Sequence, residues 1–83
     1  MEEKPLGKVV HYYDKAMVAV IRLDGGGLKV GDELRFVKFP GEFSQTIQSM
    51  QIEREAVDSA EKGQEIAGKV SQPAKEGTVV YKA

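Results

Sequence analysis

The side chains able to do chemistry in this chain of 83 residues are few and scattered. His11 is the sole histidine, and there is no cysteine. One imidazole without thiolates cannot build a zinc site, and no serine or acid stands where it would complete an obvious Ser–His–acid triad. His11 is therefore expected in a structural or surface role. The run Gly25-Gly26-Gly27 could cradle a phosphate through backbone N–H groups, but neither a helix nor a Lys-Ser/Thr pair follows, which favours a hairpin turn. Tyr12, Tyr13, Phe39, Phe43 and Tyr81 offer faces on which bases could stack, although core and loop packing is the more ordinary use of such residues. Phe39 and Phe43 flank Pro40-Gly41, and an exposed aromatic pair at such a tip would mark a contact site. Lys8, Lys15, Lys38 and Lys69 make a basic patch only if folding gathers them. With no nucleophile–base pair and no metal set in view, the chain is expected to be no enzyme and to use no cofactor.

Charge and length narrow the choices further. Acids number 13 and bases 12, a formal net charge of −1, whereas a protein held by non-specific phosphate attraction wants a clear basic excess. No apolar run approaches the roughly 18 residues of a membrane span. The start, Met1-Glu2-Glu3-Lys4-Pro5, is polar and does not read as a signal peptide. A cytoplasmic protein without membrane contact is the expectation. The length suits one domain over residues 6–83 behind a disordered tail over 1–5. A domain of this size buries about 60% of its unfolded surface, so its core is thin.

The elements that must position these residues read as strands. Residues 8–13 (KVVHYY) are β-branched and aromatic. Residues 16–23 (AMVAVIRL) place Met17, Ala19, Ile21 and Leu23 on one face and Val18 and Val20 on the other, the pattern of a strand covered on both sides. Further strands are expected over 33–38, 44–53, 65–70 and 78–82, with a loop at 39–43. The fourth changes its apolar face between Ile47 and Met50, which requires a bulge or kink near Gln48-Ser49. Gly68, between Ile66 and Val70, suggests a close backbone approach or a bend. Residues 53–61 (EREAVDSAE) are too short and polar for a stable helix, so a loop or one helical turn is expected, with Val57 plugging an open end. One device recurs: Lys29-Val30-Gly31-Asp32, Glu61-Lys62-Gly63-Gln64 and Lys75-Glu76-Gly77-Thr78 each put glycine third in a tight turn before a strand. Six short strands and glycine turns point to an all-β fold, a small six-stranded closed or nearly closed β-barrel, since closure removes exposed edges.

Several of these pieces resemble a known family. Gly7-Lys8-Val9, the run Gly26 to Leu34 with Leu28-Lys29-Val30-Gly31-Asp32-Glu33-Leu34, the run Ala60 to Ala67, and Lys75 to Val79 resemble, in order, the second-domain β-barrel of translational GTPases such as elongation factor Tu and initiation factor two. The strings HYYDK, VAVI and SMQIE resemble free-standing elongation-factor-like proteins. The resemblance implies a non-catalytic binding module that contacts RNA, the ribosome or a translation factor. In elongation factor Tu an acidic residue of the fourth strand helps to bind the terminal ribose of aminoacyl-tRNA. Gln51 stands nearest that position, and glutamine can still hydrogen-bond a hydroxyl. The binding residues expected on this reading are Gln51, Phe39, Phe43, Lys8 and Lys38. No G-x-x-x-x-G-K-(S/T) loop is present, so no GTP binding is expected. The alternative is a protein–protein adaptor, such as the detached accessory domain of a U32-type peptidase or another enzyme, because U32-type peptidases resemble this barrel at their C-termini. A monomer is expected in either case.

Overall fold

Alternation decides which way each strand faces, and the computed structural model carries it through most of the chain. Residues 4–38 and 40–82 are described. Phe39 and residues 1–3 of the expected tail lie outside them. The described residues form ten strands and no helix: β1 (Gly7–Tyr13), β2 (Val18–Leu23), β3 (Leu28–Lys29), β4 (Glu33–Lys38), β5 (Gly41–Thr46), β6 (Met50–Ile52), β7 (Glu55–Val57), β8 (Ser59–Ala60), β9 (Glu65–Lys69) and β10 (Val79–Lys82). Eight of them pair antiparallel in the order β5-β4-β10-β1-β2-β9-β6-β7, while β3 and β8 pair apart. The larger ladder ends at β5 and β7. It is not closed, and the expected six-stranded barrel gives way to ten strands in two sheets around one core.

The inward residues form a single cluster. Ile21, Leu23, Leu34, Phe36, Ile47, Ile66 and Val80 are completely buried, with Val9, Met50 and Leu28 nearly so. Leu6 is pinned beside them. Its N–H donates to the Val80 carbonyl at 2.7 Å, and its own carbonyl accepts from the N–H groups of Asp24 and Gly25.

Three departures from the expected strands have local causes. The long strand over 44–53 splits into β5 and β6 because Ile47 bonds elsewhere: its N–H donates to the Asp32 carbonyl and its carbonyl accepts from the Gly31 N–H. The break at 47–49 falls where the change of face requires a bulge or kink. Residues 41–43, expected as loop, belong to the ladder, with Phe43 opposite Phe36 and Gly41 opposite Lys38. Residues 53–61 hold neither a loop nor a helical turn but the β6–β7 hairpin and β8. That hairpin turns on Glu53 and Arg54, both at positive φ (51° and 69°), the two-residue turn that matches strand twist. Asparagine and glycine normally mark such a turn, and neither is present. Val57 packs, half-buried, against the core.

The three glycine turns form as read. Gly31, Gly63 and Gly77 have φ of 100°, 94° and 92°. In each turn the fourth residue's N–H bonds the first residue's carbonyl: Asp32 to Lys29, Gln64 to Glu61, Thr78 to Lys75, at 3.0–3.1 Å. In each, the fourth residue's side chain also returns to the first. Asp32 Oδ2 accepts from the Lys29 N–H, Gln64 Oε1 accepts from the Glu61 N–H, and Thr78 Oγ1 donates to the Lys75 carbonyl.

Glycine substitutions separate two costs. A Cβ on Gly7 would collide with the backbone carbonyl of Arg22 on the paired strand, which cannot move aside, whereas at Gly31 a Cβ meets nothing and only the positive φ resists it. Urea denaturation is expected to show Gly7→Ala losing about 3 kcal/mol and Gly31→Ala about 1 kcal/mol.

Candidate functional site

The paired registers set the outer surface as firmly as the core. His11 pairs with Val20, Val20 with Ala67, Ala67 with Gln51, and Gln51 with Ala56, so one outward row crosses β1, β2, β9, β6 and β7. The neighbouring rows place Tyr13 and Lys69 beside Val18, and Lys8 and Glu65 beside Arg22. The matching inward row is Tyr12, Ala19, Gly68, Met50 and Val57. Val18, Val20, Ala67 and Ile52 are half-buried, and Tyr13 is 53% exposed. With Gln51 they line a concavity of about 800 Å³, edged by Glu53, Arg54 and Glu65. The His11 and Tyr13 rings meet edge-on at 4.4 Å.

A second concavity, about 430 Å³, lies between the β4–β5 hairpin and the loop before β10. Its floor is the Phe36–Phe43 stack, with ring centroids 4.8 Å apart and planes within 5°. Pro40, Pro73, Lys38 and Lys75 form its walls, and Lys38 Nζ donates to the Glu76 carbonyl at 2.9 Å. A polar notch separates β5 from the end of β9. There Gln45 Nε2 donates to the Lys69 carbonyl, while Gln45 Oε1 accepts from the N–H and the hydroxyl of Ser71. Nothing in the alternating pattern of residues 41–46 singled out Gln45.

The expected binding residues are not gathered in one place. Gln51 lies on the outer face, Phe43 and Lys38 in the hairpin groove, and Lys8 beside Pro5 and Gly25 in a third groove. Phe39 lies outside the described residues. Of the other lysines, Lys69 borders the Gln45 notch and Lys15 is exposed in the β1–β2 turn. Tyr12 points inward, its hydroxyl 3.1 Å from Met17 Sδ, and the Tyr81 ring lies under the Arg35 guanidinium at 5.0 Å. The glycine run is a close-packed link and not a hairpin turn, because β2 pairs with β1 and β9 while β3 pairs with β8. Its Gly25 N–H is spent on the Leu6 carbonyl, and a Cβ there would strike the Pro5 carbonyl. Among the described residues no three His, Asp or Glu side chains form a group that could hold a metal ion, and no helix is long and apolar enough to cross a membrane.

Similarity to known proteins points one way. Two crystal structures of the C-terminal domain of a Geobacillus thermoleovorans protein classed as a U32 peptidase superpose on this chain. One, the selenomethionine variant, gives a TM-score of 0.86 at 23% identity, covering 95% of this chain and 99% of that one. The other gives 0.87 at 24%, covering 98% and 92%. The fold is that of these C-terminal domains. An uncharacterised protease of Methanocaldococcus jannaschii is 36% identical over 77 residues, which are 92% of this chain and 19% of that protein. The chain thus spans about a fifth of the curated relative it matches. No protein-family model matches it.

These likenesses overturn the reading as a translation-factor second domain or an elongation-factor-like protein. With that reading goes the ground for contact with RNA, the ribosome or a translation factor. The physical reason lies in the turns. Three of the four motif pieces that carry the resemblance center on Gly31, Gly63 and Gly77, where a positive φ favours glycine in any protein that reverses its chain this way.

The two concavities can be probed without unfolding the domain. Phe43→Ala, which removes half of a ring stack, is expected to cost about 2 kcal/mol. Lys38→Ala, which removes one exposed hydrogen bond, is expected to stay within about 0.5 kcal/mol. Parallel urea titrations of the two variants and the parent measure both.

Proposed function

We propose that this chain is a non-catalytic accessory domain of the U32 peptidase type, whose partner is protein: the catalytic region of such a peptidase, carried on the same or a separate polypeptide. The observation that carries this reading is the near-complete superposition on the C-terminal domain of a protein classed as a U32 peptidase. The 36% identity to a fifth-length segment of an uncharacterised protease supports it independently. The site geometry is compatible with it. The sole imidazole, on His11, is exposed and packed against a tyrosine, and the two concavities have apolar floors with charged side chains at their edges. An accessory domain acts by contact, so its outer surface is where sequence and function meet.

The test is replacement. In the Methanocaldococcus jannaschii protease, the 77-residue matching segment is exchanged for this chain. The hybrid is expected to be soluble and to keep at least about half of the parent's casein hydrolysis, while deletion of the segment abolishes one or both. A hybrid no better than the deletion, or hydrolysis by the isolated chain, would sink the proposal.

A further inference from the structure

Strand β2 is apolar on both faces, yet this chain covers only one of them. Its inward residues Ala19, Ile21 and Leu23 are wholly buried, whereas Val18 and Val20 look into the open concavity beside Ala67. A central strand of an antiparallel sheet that faces water on one side normally alternates apolar with polar. Part of β4 follows that rule, with Leu34 and Phe36 pointing in and Glu33 and Arg35 pointing out, although the register also brings Val37 and Val79 together on the outer side. Around Val18, Val20 and Ala67 the outward apolar surface lines the open concavity, and Tyr13 at its border is the most exposed of the large apolar side chains among the described residues.

We propose that this outer face of β1, β2, β9 and β6 is where the domain docks on the catalytic region of a U32-type peptidase. The inference rests on the accessory-domain reading and adds the surface. Two observations select that occupant. The matched segment is 19% of the curated relative, so more than four-fifths of that protein lies outside the domain and is available to cover the face. The path of the chain agrees. In a C-terminal domain of this fold the rest of the polypeptide arrives at the position of Leu6, which is tied to Asp24 and Gly25 at the end of β2. Arg22 and Glu65, paired on the outer face, stand at that same end. The preceding region therefore reaches the apolar strip without crossing the core or passing around the β4–β5 hairpin. The strip is desolvated by the docked region, and Gln51, Glu53, Arg54 and Glu65 form the polar border that interfaces of this kind carry.

The experiment uses the full-length hybrid protease carrying this chain. Val20→Lys and Ala67→Arg place a charge on the strip, and Tyr13→Ala trims its edge. Ser44→Glu, at an exposed position of β5 opposite Arg35, is the control. Small-angle scattering reports whether the two regions are packed together, and casein hydrolysis reports the consequence. Val20→Lys and Ala67→Arg are expected to enlarge the hybrid and lower its activity about tenfold, with Tyr13→Ala intermediate and Ser44→Glu without effect. The same substitutions in the isolated chain are expected to move its melting temperature by no more than about 5 °C, which separates lost docking from lost folding. If the unmodified hybrid fails, the accessory-domain reading and the docking face fall together. If it works and both charged variants stay compact and active, the face alone is overturned. A dimer of the isolated chain that Val20→Lys disrupts, seen by sedimentation, would place a second copy on the strip and overturn the proposal as well.

Discussion

Ile47 packs into the core directly over the bare backbone of Gly68. A Cβ on Gly68 would lie 2.7 Å from the Ile47 Cδ1 atom. That contact is where the two flanks of the sheet meet. Residues 47–49 carry the chain from β5, which pairs with β4, to β6, which pairs with β9. The larger ladder is open, so no backbone hydrogen bonds of that sheet join β5 to β9. Ile47 fills the gap in the core, and Gln45, on the same face of β5 as Phe43, spans it at the rim through its bonds to Lys69 and Ser71. A chain with no disulfide and a thin core depends on such side-chain closure, because loss of either flank would expose the cluster that all strands share.

The three glycine turns serve the same end by fixing where strands begin. Each couples a positive φ to two bonds between its first and fourth residues, one from backbone to backbone and one from the side chain. The chemistry is local, and it was legible for that reason: Gly31, Gly63 and Gly77 stand in four-residue windows whose meaning does not depend on the rest of the fold. The same property made them poor witnesses to kinship. A turn repeated in an unrelated β-domain looks like a shared motif, and the resemblance to translational GTPases was assembled largely from such pieces. Superposition of the whole chain weighs the order and register of the strands, which turns alone do not determine.

What the sequence hid was mostly non-local. The apolar phase of residues 16–23 gave β2 and its two faces, and the change of phase between Ile47 and Met50 gave the break between β5 and β6. The β3–β8 pair could not be read, because two residues in each strand are too few to show any period. The β6–β7 hairpin was concealed by Glu53 and Arg54, which take up positive φ at a cost of about 1 kcal/mol or more each. Tertiary pairing of Met50 and Gln51 with Gly68 and Ala67 offsets that strain. Gln51 was singled out by analogy with a ribose contact. It reached the outer concavity for a different reason, its register opposite Ala67.

An apolar outer face is a liability for so small a domain. Each large apolar side chain turned outward is one not used in the core, and a contiguous outward strip invites association. Other parts of the outer surface carry charge. Arg35 pairs with Glu42 and lies over Tyr81, Arg22 pairs with Asp24, and Lys82 pairs with Asp32. These exposed ion pairs contribute little stability. Val18, Val20 and Ala67 lie outside the buried core cluster and line the open concavity. Their apolar character is what the proposed docking of this face on another protein requires, because such a contact removes them from water.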